Sequence, residues 1–262
     1  MHAELTRLAL DRADQGPEIV MRLGVGVVKT DIVGGTIFFE DGSSFTADLI
    51  IGADGEKSVV RQDESWGGNS KLLKSPIREW GNLTWLFADQ KESRRKLCEE
   101  YKDFHPKIRR ALDLLGTSSD WDINFTGPPI QWIKGKAVLI GDAMHSMFPT
   151  TGQGACQCLE DAAALGILLS NLRNMEDIPR RLEKFQTLRR ERVVEIHALS
   201  SVLLGGETKL DEHVRSALPD GRDIEGPLDH LDVTNGYDVI RESNRILLRC
   251  FEATGENHRA SL

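Results

Sequence analysis

Two kinds of pattern divide the chain. Up to about residue 60, short β-forming runs alternate with glycine–acid turns; beyond residue 154, apolar residues recur at helical spacing. Leu5, Leu8 and Ala9 give residues 3–13 one apolar side, and Gly16-Pro17 closes that helix. Ile19 to Leu23 and Val25 to Val28 read as strands. Gly34-Gly35 turns the chain, Thr36 to Phe39 returns, Asp41-Gly42 turns it again, and Thr46 to Ile51 runs into Gly52-Ala53-Asp54-Gly55. The interval 63–127 has a different character. Lys91 to Leu115 is charged and helical, interrupted at Pro106, with Leu97, Tyr101, Ile108, Leu112 and Leu115 as its buried candidates. Ala137-Val138-Leu139-Ile140 is an apolar run bounded by turn residues, which suits a buried parallel strand. After a loop containing Pro149, Gly152 and Gly154, the residues Ala155, Leu159, Ala162, Gly166 and Leu169 recur at helical spacing. Pro179 opens a longer helix with a stripe of Leu182, Phe185, Leu188, Val193, Ile196, Leu199 and Leu203. Its other face carries Arg180, Arg181, Lys184, Arg189, Arg190 and Arg192, which reads as solvated. Residues 205–235 read as loop. Tyr237 to Phe251 is a last helix burying Val239, Ile240, Ile246, Leu247, Cys250 and Phe251.

Composition narrows the class. The chain has 262 residues, 40% apolar and 28% charged, which fits a soluble globular protein of one large domain, or of one plus a small insert; the α/β class comes from the strand and helix patterns above. A net charge of −8 argues against nucleic acid as the main partner. No run is long enough to span a membrane, and the first residues lack a signal-peptide core, so the expectation is a cytoplasmic protein. Cys98, Cys156, Cys158 and Cys250 make no metal spacing and read as reduced thiols. The sequence shows neither a metal cluster nor a Ser-His-Asp set.

The stretch with the most chemistry is Lys136 to Asp161. A strand ends at Gly141-Asp142 and so places a carboxylate at its C-terminal end, where open α/β sheets bind ligands. Gly152 and Gly154 admit close approach of a flat ligand, and the first-turn N–H groups of the following helix point at it. His145 reads first as a packed structural histidine and second as a proton relay.

Gly141-Asp142-Ala143-Met144-His145, then Pro149, Gly152-Gln153-Gly154-Ala155 and Glu160-Asp161-Ala162, resembles the second flavin motif of FAD-dependent monooxygenases. The nearest branch is the single-component, salicylate-hydroxylase-like aromatic hydroxylases of fungi. Asp48 to Arg61, with Gly52-Ala53-Asp54-Gly55 followed by Ser58, Val60 and Arg61, resembles the other fingerprint of that family. The resemblance implies FAD as cofactor, NAD(P)H as reductant, and hydroxylation of a small aromatic or polyketide-like secondary metabolite with O₂. It places Gly141, Asp142, Gly152, Gln153, Gly154 and Ala155 at the flavin, and Asp54, Gly55 and Arg61 near the FAD pyrophosphate. There Asp54 would accept ribose hydroxyls or fix its loop, and Arg61 would offset phosphate charge. It leaves the catalytic residues unknown. The basic face after Pro179 gains a second reading as a landing surface for NADPH phosphates.

The resemblance divides the chain into an FAD-binding-like, Rossmann-like domain (1–62 with 128–204), a shortened substrate-domain insert (63–127) and a loop with a C-terminal helix (205–262). Trp80, Trp85 and Trp121 would line an aromatic pocket in that insert or fill its core. The chain departs from the family in two respects. The G-x-G-x-x-G turn that holds the FAD pyrophosphate is not in this sequence; Gly24-x-Gly26 lacks the third glycine and runs into Lys29-Thr30-Asp31. His2 stands where family members carry an arginine. Two expectations follow. One is an FAD-dependent monooxygenase, truncated. The other is a non-catalytic remnant or partner-dependent fragment of such a flavoprotein.

Overall fold

The structure is a computed structural model, described over residues 2–10, 19–66, 73–74, 95, 98–99, 101–113, 124–125, 131–172, 174–202 and 234–254. Helix α1 (His2–Leu10) precedes an antiparallel sheet of β1 (Val27–Asp31), β2 (Thr36–Phe39) and β3 (Ser44–Thr46). Strand β4 (Ile50–Gly52) leaves that sheet for a second one. There it lies parallel to β8 (Ala137–Leu139), and β8 pairs antiparallel with β7 (Ile133–Lys134), in the order β4-β8-β7. Between β4 and β7 stand α2 (Pro106–Asp113) and a two-stranded ladder of β5 (Leu73–Lys74) and β6 (Asn124–Phe125). Beyond β8 come α3 (Asp142–His145), a 3-10 turn at Pro149–Thr151, α4 (Gly154–Leu168), α5 (Ile178–Val202) and α6 (Val239–Thr254).

The core sits where the second sheet meets the last three helices. Strand β8 is buried at all three residues, as an apolar run covered on both faces must be. Ala137, Val138 and Leu139 share one cluster with Val60, Trp66, Trp132, Leu165, Leu168, Leu182, Phe185, Leu247 and Phe251. Trp132 meets Phe185 edge to face at 5.8 Å, and its backbone N–H donates to Gln186 Oε1 (2.8 Å), fastening β7 to α5. Ile32, fully buried, anchors the first sheet: its carbonyl accepts the Lys136 N–H at 2.7 Å, and Asp63 Oδ2 accepts Thr30 Oγ1 and the Ile32 N–H.

Several expectations are corrected. Residues 19–26 make no strand; β1 begins at Val27, because Gly24 is left-handed (φ 70°) and no described strand pairs with what precedes it. Leu5 and Leu8 of α1, Ile108 of α2 and Ile240 of α6 are exposed rather than buried. Helix α4 turns the opposite way from its apolar pattern. Gln157, Asp161, Ala164, Leu165 and Leu168 face inward, while Ala155, Leu159, Ala162 and Gly166 are exposed. On α5 the basic face is not uniformly solvated: Arg181, Arg189 and Arg192 are buried beside α4 and α6. Trp80, Trp85, Trp121, Leu97 and Leu115, and nearly all of 205–235, lie outside the described residues.

Candidate functional site

Two glycine–acid turns stand side by side. In the parallel pair Gly52 is opposite Leu139, and the Ile140 N–H donates to the Gly52 carbonyl at 3.0 Å. Gly52-Ala53-Asp54-Gly55 and Gly141-Asp142 therefore leave the same C-terminal edge of the sheet, the position at which such sheets hold ligands.

The first turn closes on itself. Asp54 Oδ2 accepts the backbone N–H groups of Val59 (2.7 Å) and Val60 (3.2 Å), and the Arg61 N–H donates to Ser58 Oγ at 2.9 Å. Arg61 is buried, with its guanidinium on the backbone carbonyls of Glu56 and Ala143. Burial lowers the guanidinium's pKa, although Asp54 and Glu56 oppose the shift. This guanidinium ties the first turn to α3.

The second turn opens outward. Gly141 adopts φ 58°, ψ −147°, a region almost reserved for glycine, and a Cβ there would come within 3.0 Å of Cys158 Sγ. Its carbonyl starts α3 by accepting the Met144 and His145 N–H groups, both at 2.8 Å. Asp142 lies at the first position of α3, exposed, and its carboxylate has no hydrogen bond or ion pair among the described residues. Past the Pro149–Thr151 turn, Gly152 is left-handed (φ 64°). A Cβ placed at Gly152 or Gly154 would meet nothing within 4 Å. Gln153 precedes α4 without a side-chain cap, so the first-turn N–H groups have no internal side-chain acceptor. Gly152 and Ala155 are exposed, and Gln153 and Gly154 half-buried.

Behind this mouth lies a buried polar cluster. Asp161 Oδ2 accepts the Gly141 N–H (2.9 Å) and lies 2.7 Å from His145 Nε2, while Oδ1 accepts Arg189 Nε at 2.8 Å. Arg189 also donates to Glu160 and to Gln157 Oε1 (2.7 Å), and Arg192 reaches Glu160 and the Thr234 carbonyl and lies over the Tyr237 ring. Asp161, Arg189, His145 and Gln157 have no solvent exposure. Burial alone would raise the Asp161 carboxyl, but His145 and Arg189 outweigh it and hold the pKa below the ordinary value. Burial would likewise lower Arg189; Asp161 and Glu160 reverse that and raise it. For Cys158, burial and then Asp142 and Asp161 push the thiol up, away from a reactive thiolate.

Residues 129–200, which contain both the mouth and the buried cluster, match the family described as FAD binding domain. Among curated proteins the chain is 28% identical to an FAD-dependent monooxygenase, ntnJ, of Nectria sp, over 75% of this chain and 60% of that protein. It is 25% identical to hispidin-3-hydroxylase of Neonothopanus nambi, over 94% of this chain and 72% of that one. A solved salicylate hydroxylase substrate complex superposes with a TM-score of 0.63 at 21% identity, covering 92% of this chain and 74% of that chain. Residues 129–200 thus match an FAD binding domain, and the chain is similar to FAD-dependent monooxygenases.

The structure brings together Gly141, Asp142, Gly152, Gln153, Gly154 and Ala155 along one strand-to-helix passage, and sets Asp54 and Gly55 at the neighbouring strand end. Toward a ligand the mouth offers a carboxylate that bonds to none of the described residues, two glycines with open space above them and a helix start without a side-chain cap. His145 is packed against Trp132 and bonded to Asp161, as a structural histidine is. Asp161 and Arg189 were not singled out from the sequence, yet each had a signal. Asp161 belongs to the quoted motif. Arg189 stands four residues from both Phe185 and Val193 and so occupies a place in the apolar stripe. Burial of Arg181, Arg189 and Arg192 leaves Arg180, Lys184 and Arg190 as the accessible cations of that face. Among the described residues no helix is long and apolar enough to cross a membrane, and no cluster could hold a metal ion.

Proposed function

We propose that this chain is the flavin-holding portion of an NAD(P)H-dependent hydroxylase acting on a small aromatic or secondary-metabolite substrate. The observation that carries the reading is Asp142, an exposed carboxylate without a partner, set beside an uncapped helix start lined by Gly152 and Gly154. FAD, when bound, supplies the redox chemistry with O₂. Asp142 accepts hydrogen bonds from ribityl hydroxyls. Backbone N–H groups from Gly152 to Ala155 meet the pyrimidine edge, and the α4 dipole favours negative charge there by about 0.3–1 kcal/mol. Asp54 fixes its own loop, and Gly55 leaves room for backbone approach.

A second reading, in which a protein partner completes the site or the chain is a non-catalytic relative, is favoured by one feature. Strand β4 has a neighbour on one side only among the described residues, and Ile51 is 47% exposed on it. An open parallel edge of this kind is a pairing template. The two readings part in one experiment. The purified chain is titrated with FAD, followed by its flavin absorbance bands, and then given NADPH or NADH. A yellow protein that oxidises either nucleotide supports the hydroxylase. A chain that takes up FAD only when a partner is added supports the second reading, and one that never takes up FAD refutes the first.

A further inference from the structure

We propose that Asp161 is the positioning residue of the flavin mouth: it holds Gly141 in its glycine-only conformation and thereby aims Asp142. This rests on the reading of the mouth as a flavin site. Helix α3 has four residues, too few to be stable by itself. Its shape is imposed from outside, and the contacts show how. Asp161 Oδ2 grips both ends of the segment, taking the N–H of Gly141 ahead of the helix and meeting Nε2 of His145 at its end. From the other side Arg61 holds the Ala143 carbonyl in the middle. Asp142 lies between these three fixed points with its own carboxylate uncommitted. The grip is itself locked, because Asp161 Oδ1 is bonded to Arg189 Nε, and Arg189 is held in turn by Gln157 and Glu160. A carboxylate twenty residues downstream of Gly141 thus sets the backbone of the acidic turn. Itself fully buried, it acts through Gly141 and His145.

Removing Asp161 alone would leave Arg189 with Glu160 as its remaining carboxylate partner and disturb the ion pair together with the grip on Gly141, so the test uses two double variants that both delete the Asp161–Arg189 pair. In D161N/R189M the new amide oxygen still accepts the Gly141 N–H; in D161A/R189M nothing does. Two readouts are compared in the full chain: amide hydrogen exchange at Gly141 without cofactor, and FAD affinity by flavin fluorescence. Exchange at Gly141 should be at least tenfold faster in D161A/R189M than in D161N/R189M, while amides in β8 and α5 change equally in both. FAD affinity should fall at least tenfold in D161A/R189M and stay within about threefold of the natural chain in D161N/R189M. Equal exchange at Gly141 in the two variants overturns the proposal whatever FAD does, and so does a split in exchange with equal FAD affinity. A split in exchange in a protein whose natural form takes up no FAD supports the grip on the turn and refutes the flavin reading instead.

Discussion

The two glycine–acid turns share a sheet edge and a sequence pattern, yet they use their acids in opposite ways. Asp54 is consumed by its own loop, where it accepts two backbone N–H groups within six residues. Asp142 makes no such bond. The internal work at the second turn is done by Asp161, which reaches back from α4. The cations differ as well. Arg61, in the first turn, bonds to the backbone carbonyls of Glu56 and Ala143, whereas Arg189 joins the second turn through a carboxylate. A turn that borrows its structural acid from elsewhere keeps its own acid for a ligand; a turn that supplies its own does not. Glycine followed by aspartate therefore says little about ligand contact until the partners of that aspartate are known.

The comparison can be broken by substitution. The largest effect is expected at Asp161→Asn, which takes from buried Arg189 one of its two carboxylate partners, Glu160 being the other, and should cost about 3 kcal/mol in urea unfolding. A cost under 1 kcal/mol would show that the second turn does not depend on Asp161. Arg61→Met should cost about 1–3 kcal/mol, since the carbonyls of Glu56 and Ala143 lose their donor in a buried place. Acid should act in the same direction as the first substitution. The folded pKa of Asp161 is held below its unfolded value of about 4, so its contribution is complete above that value and disappears as the pH falls through the folded pKa. The acid limb of the stability–pH curve should accordingly flatten in Asp161→Asn; an unchanged limb counts against the assignment. Asp54→Ala should cost about 1 kcal/mol, because two N–H groups lose their acceptor at an exposed loop.

Much of the fold was legible because it rests on local patterns. The run Ala137–Ile140, the turns at Gly34-Gly35 and Asp41-Gly42, the start of α4 at Gly154 and the start of α5 by Pro179 all follow from apolar period and turn chemistry. The site was legible as a set of positions along 141–155. What the sequence could not reveal was orientation. Helix α4 has two candidate stripes, and the apolar-looking one, Ala155-Leu159-Ala162-Gly166, is the exposed one. The other carries Gln157 and Asp161, whose burial is compensated by partners that folding brings together, Arg189 across the helix pair and, for Asp161, Gly141 and His145. Periodicity ranks residues by apolarity, so a polar pair that is satisfied only after folding is misassigned on both helices at once. The same cause made Arg189 read as solvated, and the role of Arg61 depends on contact with Ala143, which sequence separation hides.

The central claim is that the second turn, and not the first, holds the flavin. Its most direct test is a fluorescence titration of FAD into the natural chain, Asp142→Ala and Asp54→Ala, with unfolding followed in parallel. The account predicts that Asp142→Ala weakens FAD binding at least tenfold while stability stays within about 0.5 kcal/mol, as for an exposed side chain without partners. Asp54→Ala should keep affinity within about threefold while losing about 1 kcal/mol of stability. The reverse pattern, with affinity lost at Asp54 and kept at Asp142, would contradict it.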